Sequence, residues 1–254
     1  MITTAVRAAL RRKGMGYTVS RTDDRDRLLS VAKDAVHALP SEAMAMCARV
    51  VRRNQGATSE CTAASTDHCL SALGGKPGKG GYSLRSMRGP YWGARTLGGY
   101  KGDNGAQMRD SLLSYRYWGT SAEAACPQSI PKINQQPSKE FYRQAHSWRD
   151  LQFESIVGSW SARVDSVRAS IARGRPVVGG WSVDAAFLSD DGPDMIQTAS
   201  GLSVGGHAIA ITGYQGSKFR SPGSWSDEWR DGGWAWFSEG MVAEATELYS
   251  VWYE

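Results

Sequence analysis

Apolar positions in the first half of the chain recur at helical spacing, whereas in the second half they gather into short runs bounded by glycine. Asp23 to Val36 reads as a charged helix, broken by Leu39-Pro40, and Ala48-Arg49-Val50-Val51 as an extended lead into a loop at Gln55. Cys61 opens a helix of small residues through Ala64, Cys69, Ala72 and Leu73, stopped by Gly74-Gly75. Tyr91 to Arg95 ends a second helix, and Gln107 to Trp118 forms a third with Met108, Leu112, Leu113 and Tyr115 on its apolar side. Gly74 to Gly81, Gly98 to Gly105 and Cys126 to Pro137 read as irregular connections, and Phe141 to Leu151 as helix or loop. Beyond them, Val164 to Arg173 is a short amphipathic helix ended by Gly174. Arg175 to Trp181, His207 to Tyr214 and Gly232 to Phe237 are the expected strands. The plan is α+β: a basic N-terminal arm over 1–36, then one domain over 37–254. That domain has a helical lobe over about 55–150 and a β-rich lobe over about 151–254, with no internal repeat.

Composition narrows the function classes. The 254 residues suffice for one large domain or two packed lobes. No run of eighteen apolar residues exists, so no membrane span is expected. Arg7, Arg11, Arg12 and Lys13 lack an apolar stretch behind them, which argues against a secretory signal; the cytoplasm or a phage particle is the expected location. The first acidic residue is Asp23, so the arm before it could meet an acidic surface or an assembly partner, serve as a transit peptide, or pack as a terminal helix. A net charge of +5, with no zinc finger, RNA-binding signature or Walker loop, makes nucleic acid an unexpected partner. Cys47, Cys61, Cys69 and Cys126 form no CxxC pair, so neither a metal site nor a disulfide framework is expected, and no cofactor is called for. Asp190, Asp191 and Asp194 lack calcium-ligand spacing and read as a solvated turn. Trp225, Trp229, Trp234 and Trp236 read as β-lobe core and cleft wall, and His37, His68 and His146 have no evident partner.

The chemistry centres on Cys61. A thiol at a helix N-terminus meets unpaired N–H groups and partial positive charge, which favour the reactive thiolate. Gln55, six positions earlier, could turn its amide to the same spot and complete an oxyanion hole with a backbone N–H. His207 follows Gly205-Gly206 and lies 146 positions after Cys61; the two supply a nucleophile and a base. A small buried helix residue and a structural strand histidine are the plainer readings of the same positions.

Gln55-Gly56 with Cys61-Thr62-Ala63, Asp103-Asn104-Gly105-Ala106 and Arg109-Asp110 are followed by Gly174-Arg175-Pro176-Val177-Val178 and Gly206-His207-Ala208 with Gly213-Tyr214. Ser224-Trp225, Trp229 and Gly232-Gly233-Trp234 complete the series. In this order, from about Leu39 to Val242, the chain resembles the papain-like cysteine peptidases, nearest to their divergent bacterial and viral members. The resemblance implies a two-lobe fold with a β-barrel-like second lobe and a peptide or protein substrate in the groove between the lobes. It implies Cys61 as nucleophile, His207 as general base, and Gln55 in the oxyanion hole. Asn104, Gly105 and Gly206 would meet the substrate, and Trp225 would shield the His207 ring.

Three positions depart from the family. Gly223 stands where an asparagine orients the histidine, leaving Asp227, a carbonyl or a water to substitute; if its loss is crippling, Gly223→Asn should restore activity. Glu60 precedes the nucleophile, where its charge would oppose the thiolate, shape specificity or face solvent, and Thr62 replaces a tryptophan. No long pro-segment is evident, so activation by removing one is not expected. Two readings follow: an active peptidase, with cell-wall peptides among its conceivable substrates, or a pseudopeptidase kept as a structural or binding component of an assembly such as a phage virion.

Overall fold

All twelve residues of the helix Cys61–Ala72 are buried, which makes it a central rod rather than a surface helix. The computed structural model describes residues 4–29 and 38–254. On one side the rod meets the helices Arg88–Gly98 and Met108–Tyr117, and on the other the strands Val177–Asp184 and Ser203–Ile211. Its end follows from Gly74 and Gly75, both at positive φ, whose N–H groups bond back to Ser71 (2.8 Å) and Leu70 (2.9 Å). Ser138, Ser159 and Ser238 open the helices Lys139–Ala145, Trp160–Ala172 and Glu239–Ala243, each side chain accepting a first-turn N–H.

The β-rich lobe is built on two five-stranded sheets, each with one edge strand from the N-terminal stretch; they do not close into a barrel, and the α+β plan holds. In one sheet Leu28–Leu29, Gln152–Ile156, Glu247–Trp252, Val177–Asp184 and Ser203–Ile211 are neighbours in that order. In the other the order is Glu42–Ala43, Gly213–Gln215, Lys218–Pro222, Trp234–Ser238 and Met195–Ile196. The expected strand from His207 to Tyr214 thus divides at Thr212, whose N–H bonds to Arg220 in the second sheet (3.0 Å). Glu247–Trp252, the middle strand of the first sheet, and its neighbour Gln152–Ile156 have no counterpart in the sequence-based plan.

The N-terminal stretch is packed. Thr4–Arg12 is a helix that touches the short helix Ala185–Leu188, and Tyr17–Thr18 pairs in parallel with Ala106–Gln107. The helix expected from Asp23 does not form over its described part. Asp23 and Asp26 instead accept the Arg109 guanidinium at 2.7–2.8 Å, and Leu28–Leu29 joins the first sheet, so tertiary ion pairs and strand pairing override the local pattern. The rest of that expected helix, and His37, lie outside the described residues. Among the described residues, no helix is long and apolar enough to cross a membrane.

Candidate active site

Cys61 is the first residue of the buried rod and is itself fully buried. Burial pushes its thiol up to about 11. His207 lies in the strand Ser203–Ile211, opposite Trp181. Its ring stacks on Trp225 with centroids 4.5 Å apart and planes 19° apart, with Phe187 at 5.9 Å. Burial pushes the imidazole down to about 3, so it is neutral in this state. Its Nδ1 is buried without a hydrogen-bond partner, and its Nε2 lies 3.5 Å from the Ser224 hydroxyl.

Gln55 is tied in from both ends. Its backbone N–H donates to the Ser224 carbonyl (2.8 Å), and its Oε1 accepts the Ser224 hydroxyl (2.7 Å). Its Nε2 donates to the carbonyls of Thr58 (2.7 Å) and Gly14 (3.0 Å). Residues 13–18 therefore run between the Gln55–Ser59 loop, the Gly105 turn and the His207 strand. Gly14 N–H bonds to Gly56 (2.7 Å), and the Gly16 carbonyl accepts from Ala106 N–H (2.7 Å). The fit depends on glycine: a Cβ on Gly14 would overlap the Thr58 carbonyl, and one on Gly16 the Ser59 carbonyl. Gly105 and Gly206 give room from the other side, since a Cβ on either would overlap the Gly16 or Tyr17 carbonyl. Lys13 anchors the segment, donating to the Leu188 carbonyl (2.6 Å) and pairing with Asp190, which is thus no solvated turn residue.

The basic arm is, over its described part, a packed helix followed by a groove-filling strand, and the sequence held one clue to this, the Gly14-Met15-Gly16 spacing. Asn104 is exposed and turns its amide back to the Lys101 carbonyl (3.0 Å), so it does not join the groove. Its neighbour Asp103 does the joining: its Oδ1 accepts Ser59 N–H (3.0 Å) and Tyr91 O–H (2.8 Å), and Tyr91 in turn accepts Gly105 N–H (3.0 Å). These bonds clamp the nucleophile loop to the Gly105 turn. Trp225 and Trp229 are core residues, whereas Trp234 and Trp236 are half-buried and flank Arg220 at 5.2 and 5.0 Å.

Two departures take a different form in three dimensions. A Cβ on Gly223 would overlap the Trp229 ring, so the position is filled space and not an empty socket for asparagine. Asp227 pairs with Arg52 and its side chain is 80% exposed, so it does not stand in for that asparagine. Glu60 is fully buried, not solvated; its Oε1 meets Gln128 Nε2 (2.6 Å) and the Thr58 hydroxyl (3.0 Å), which also reaches the Gln55 carbonyl (2.8 Å). Burial, the largest influence on it, pushes Glu60 up to about 7, against the Thr58 and Gln128 hydrogen bonds, which favour the carboxylate.

Beneath the rod, Arg53 pairs with Asp67 (3.2 Å) and Glu123 (3.0 Å), and Tyr82 O–H donates to Asp67 (2.5 Å). His68 has a structural partner that its sequence position concealed: its Nε2 accepts Arg53 N–H (3.0 Å). All four cysteines are free thiols.

A thiol at the head of a buried helix, a histidine strand packed on that helix and a fixed amide describe a cysteine-hydrolase architecture. Comparison with known proteins gives the family. The model of the Peptidase_C39 like family matches residues 48–241, and the chain belongs to this family of cysteine-type peptidases. The chain is 21% identical over 267 residues to an uncharacterized peptidase C1-like protein of Acanthamoeba polyphaga mimivirus, covering 94% of this chain and 86% of that one. Its fold is similar to that of xylellain, a cysteine protease from Xylella fastidiosa, with a TM-score of 0.82 at 22% identity, covering 96% of this chain and 98% of that one. It is also similar to procathepsin B S9 from Trypanosoma congolense, with a TM-score of 0.71 at 15% identity, covering 96% and 87% of the two chains.

Proposed function

We propose that the chain hydrolyses peptide bonds through Cys61 and His207, with Gln55 and the Cys61 backbone N–H receiving the oxyanion, and that residues 13–18 hold this site latent. One observation carries the reading: a peptide backbone already lies against the site, its Gly14 carbonyl on the Gln55 amide and its Gly16 carbonyl on the Ala106 N–H. A substrate backbone could make the same two contacts once the segment moves aside.

In the covered state both partners are neutral, because burial disfavours each charge. Uncovering admits water and lowers the cost of a thiolate–imidazolium pair. The Cys61 thiol then gives its proton to His207 and the sulfur attacks the substrate carbonyl carbon. Negative charge gathers on the carbonyl oxygen, where the Gln55 Nε2–H and the unpaired N–H of the first helical residue receive it. Collapse expels the amine, which takes the proton from His207, and leaves an acyl-thioester on Cys61. Water, deprotonated by His207, then releases the acid.

A latent form fits with two proteins of similar fold, procathepsin B S9 and a stem bromelain precursor. The competing pseudopeptidase reading draws on Glu60 and Gly223. Held by Thr58 and Gln128, and with burial raising it to about 7, Glu60 counts less for it.

A peptide-epoxide probe selective for activated thiols tests the proposal on the parent chain and on Gly14→Val/Gly16→Val, with Cys61→Ala and His207→Ala as controls. The expected result is a single adduct on Cys61 that requires His207 and forms faster in the double variant. Folded chains of both kinds that leave Cys61 unlabelled would overturn it.

A further inference from the structure

We propose that Ser224 is the positioning residue for His207, the middle of a directional chain that runs from His207 Nε2–H to Ser224 Oγ–H to Gln55 Oε1. The inference rests on the Cys61–His207 reading and adds to it the group that replaces the missing asparagine.

The direction follows from counting hydrogens. Gln55 donates through Nε2 to two carbonyl oxygens, those of Gly14 and Thr58, and neither can donate in return. The amide orientation is therefore fixed, and its Oε1 is the end that faces Ser224. An amide oxygen only accepts, so the 2.7 Å contact consumes the single hydrogen of the Ser224 hydroxyl. What Ser224 Oγ has left for His207 is lone pairs. Across the 3.5 Å contact the ring nitrogen must be the donor, which makes His207 the Nε2–H tautomer. The distance is at the long end for a hydrogen bond, as catalytic contacts commonly are before substrate binds, and it shortens once the ring becomes an imidazolium.

The consequence lies on the other nitrogen. Nδ1 then carries a lone pair, and it is the buried ring nitrogen with no partner. That is the atom required to take the proton of Cys61, whose helix packs against the His207 strand with Cys61 and Ala208 in one buried cluster. Trp225, stacked on the ring, opposes a ring flip. The usual position for the orienting group is closed, because a side chain at 223 would overlap Trp229, and Asp227 is engaged by Arg52 at the surface. The arrangement also couples the two halves of the site, since Gln55 serves the oxyanion with one end of its amide and sets the base with the other.

The test reads the ring directly, in the full chain labelled with 15N-histidine, with His207→Ala assigning the signals. The parent and Ser224→Thr should show a single neutral tautomer, protonated at Nε2. In Ser224→Ala the two tautomers should mix and the ring N–H should exchange with water at least tenfold faster. Gln55→Leu frees the serine hydrogen and should move the ring toward Nδ1–H, a change that no purely structural role for Ser224 predicts. Labelling of Cys61 by the epoxide probe should fall about tenfold in Ser224→Ala, the equivalent of one neutral hydrogen bond, and recover in Ser224→Thr. A parent ring protonated at Nδ1, or a Ser224→Ala ring unchanged from the parent, would overturn the inference. Labelling that needs His207 but not Ser224 would overturn this inference alone. The expected tautomers with no labelling at all would instead overturn the peptidase reading and uphold the role of Ser224.

Discussion

Replacing Gly14 and Gly16 together by valine should open the groove, and the size of the effect can be worked from the contacts. Neither site has room for a Cβ, so the segment must leave its track for the side chains to fit. Three hydrogen bonds go with it: Gly14 N–H to Gly56, Gln55 Nε2–H to Gly14, and Ala106 N–H to Gly16. At about 1 kcal/mol net for each, the covered state loses about 3 kcal/mol relative to the open one, a factor of roughly 10² in the open population. A small alkylating reagent reaches the fully buried Cys61 only from the open population, so its rate scales with that population whatever its absolute size. The assay is iodoacetamide modification of Cys61, followed by mass spectrometry of the peptide that contains it, with thermal unfolding to show that the domain stays folded. Modification should quicken by roughly two orders of magnitude. A folded double variant whose Cys61 reacts at the parent rate would refute the reasoning, because it would mean that the segment does not control access.

Other consequences are sharper in stability than in rate. Glu60 is raised to about 7 in the folded chain, so between its usual range and 7 the folded state holds a proton that the unfolded state has lost. Stability from this group is therefore full at low pH and is lost as pH rises through 7, by about 3 kcal/mol in all. Glu60→Gln should gain melting temperature over the parent from pH 5 to pH 8, by roughly 5–10 °C, while Asp67 and His68 titrate in both chains and cancel in the difference. An equal offset at both pH values would contradict it. Gly223→Asn should lower stability by about 1–3 kcal/mol through overlap with Trp229, and peptide turnover should not rise; denaturant midpoints and kcat/KM check both. Arg53→Met leaves the buried Asp67 carboxyl without its cation and should cost about 3–5 kcal/mol in urea unfolding, with no change if the pair is dispensable.

Much of the architecture was legible because a few residues constrain it locally. Gly74-Gly75 can only end the helix that Cys61 begins, and the apolar run behind His207 can only be a buried strand. The order of short motifs supplied the two-lobe plan. What stayed hidden depends on contacts between distant segments. Asp23 and Asp26 look like helix residues until Arg109 claims their carboxylates, and Glu247–Trp252 becomes a central strand only when two others flank it. Lys13 to Thr18 carries no catalytic motif; its role comes from how closely two backbones approach, and sequence records only two alternating glycines. In sequence Ser224 is only the neighbour of a missing asparagine, and the hydrogen count that gives it a role needs the geometry of Gln55 and Gly14.

The central claim is that Cys61 and His207 cleave peptide bonds once the segment leaves the groove. Incubating Gly14→Val/Gly16→Val with a defined peptide pool, alongside the same chain carrying Cys61→Ala or His207→Ala, tests it most directly. The account predicts new peptide termini that rise with time and vanish in both knockouts. Cleavage that persists without Cys61, or a folded and open chain that cuts nothing, would contradict it.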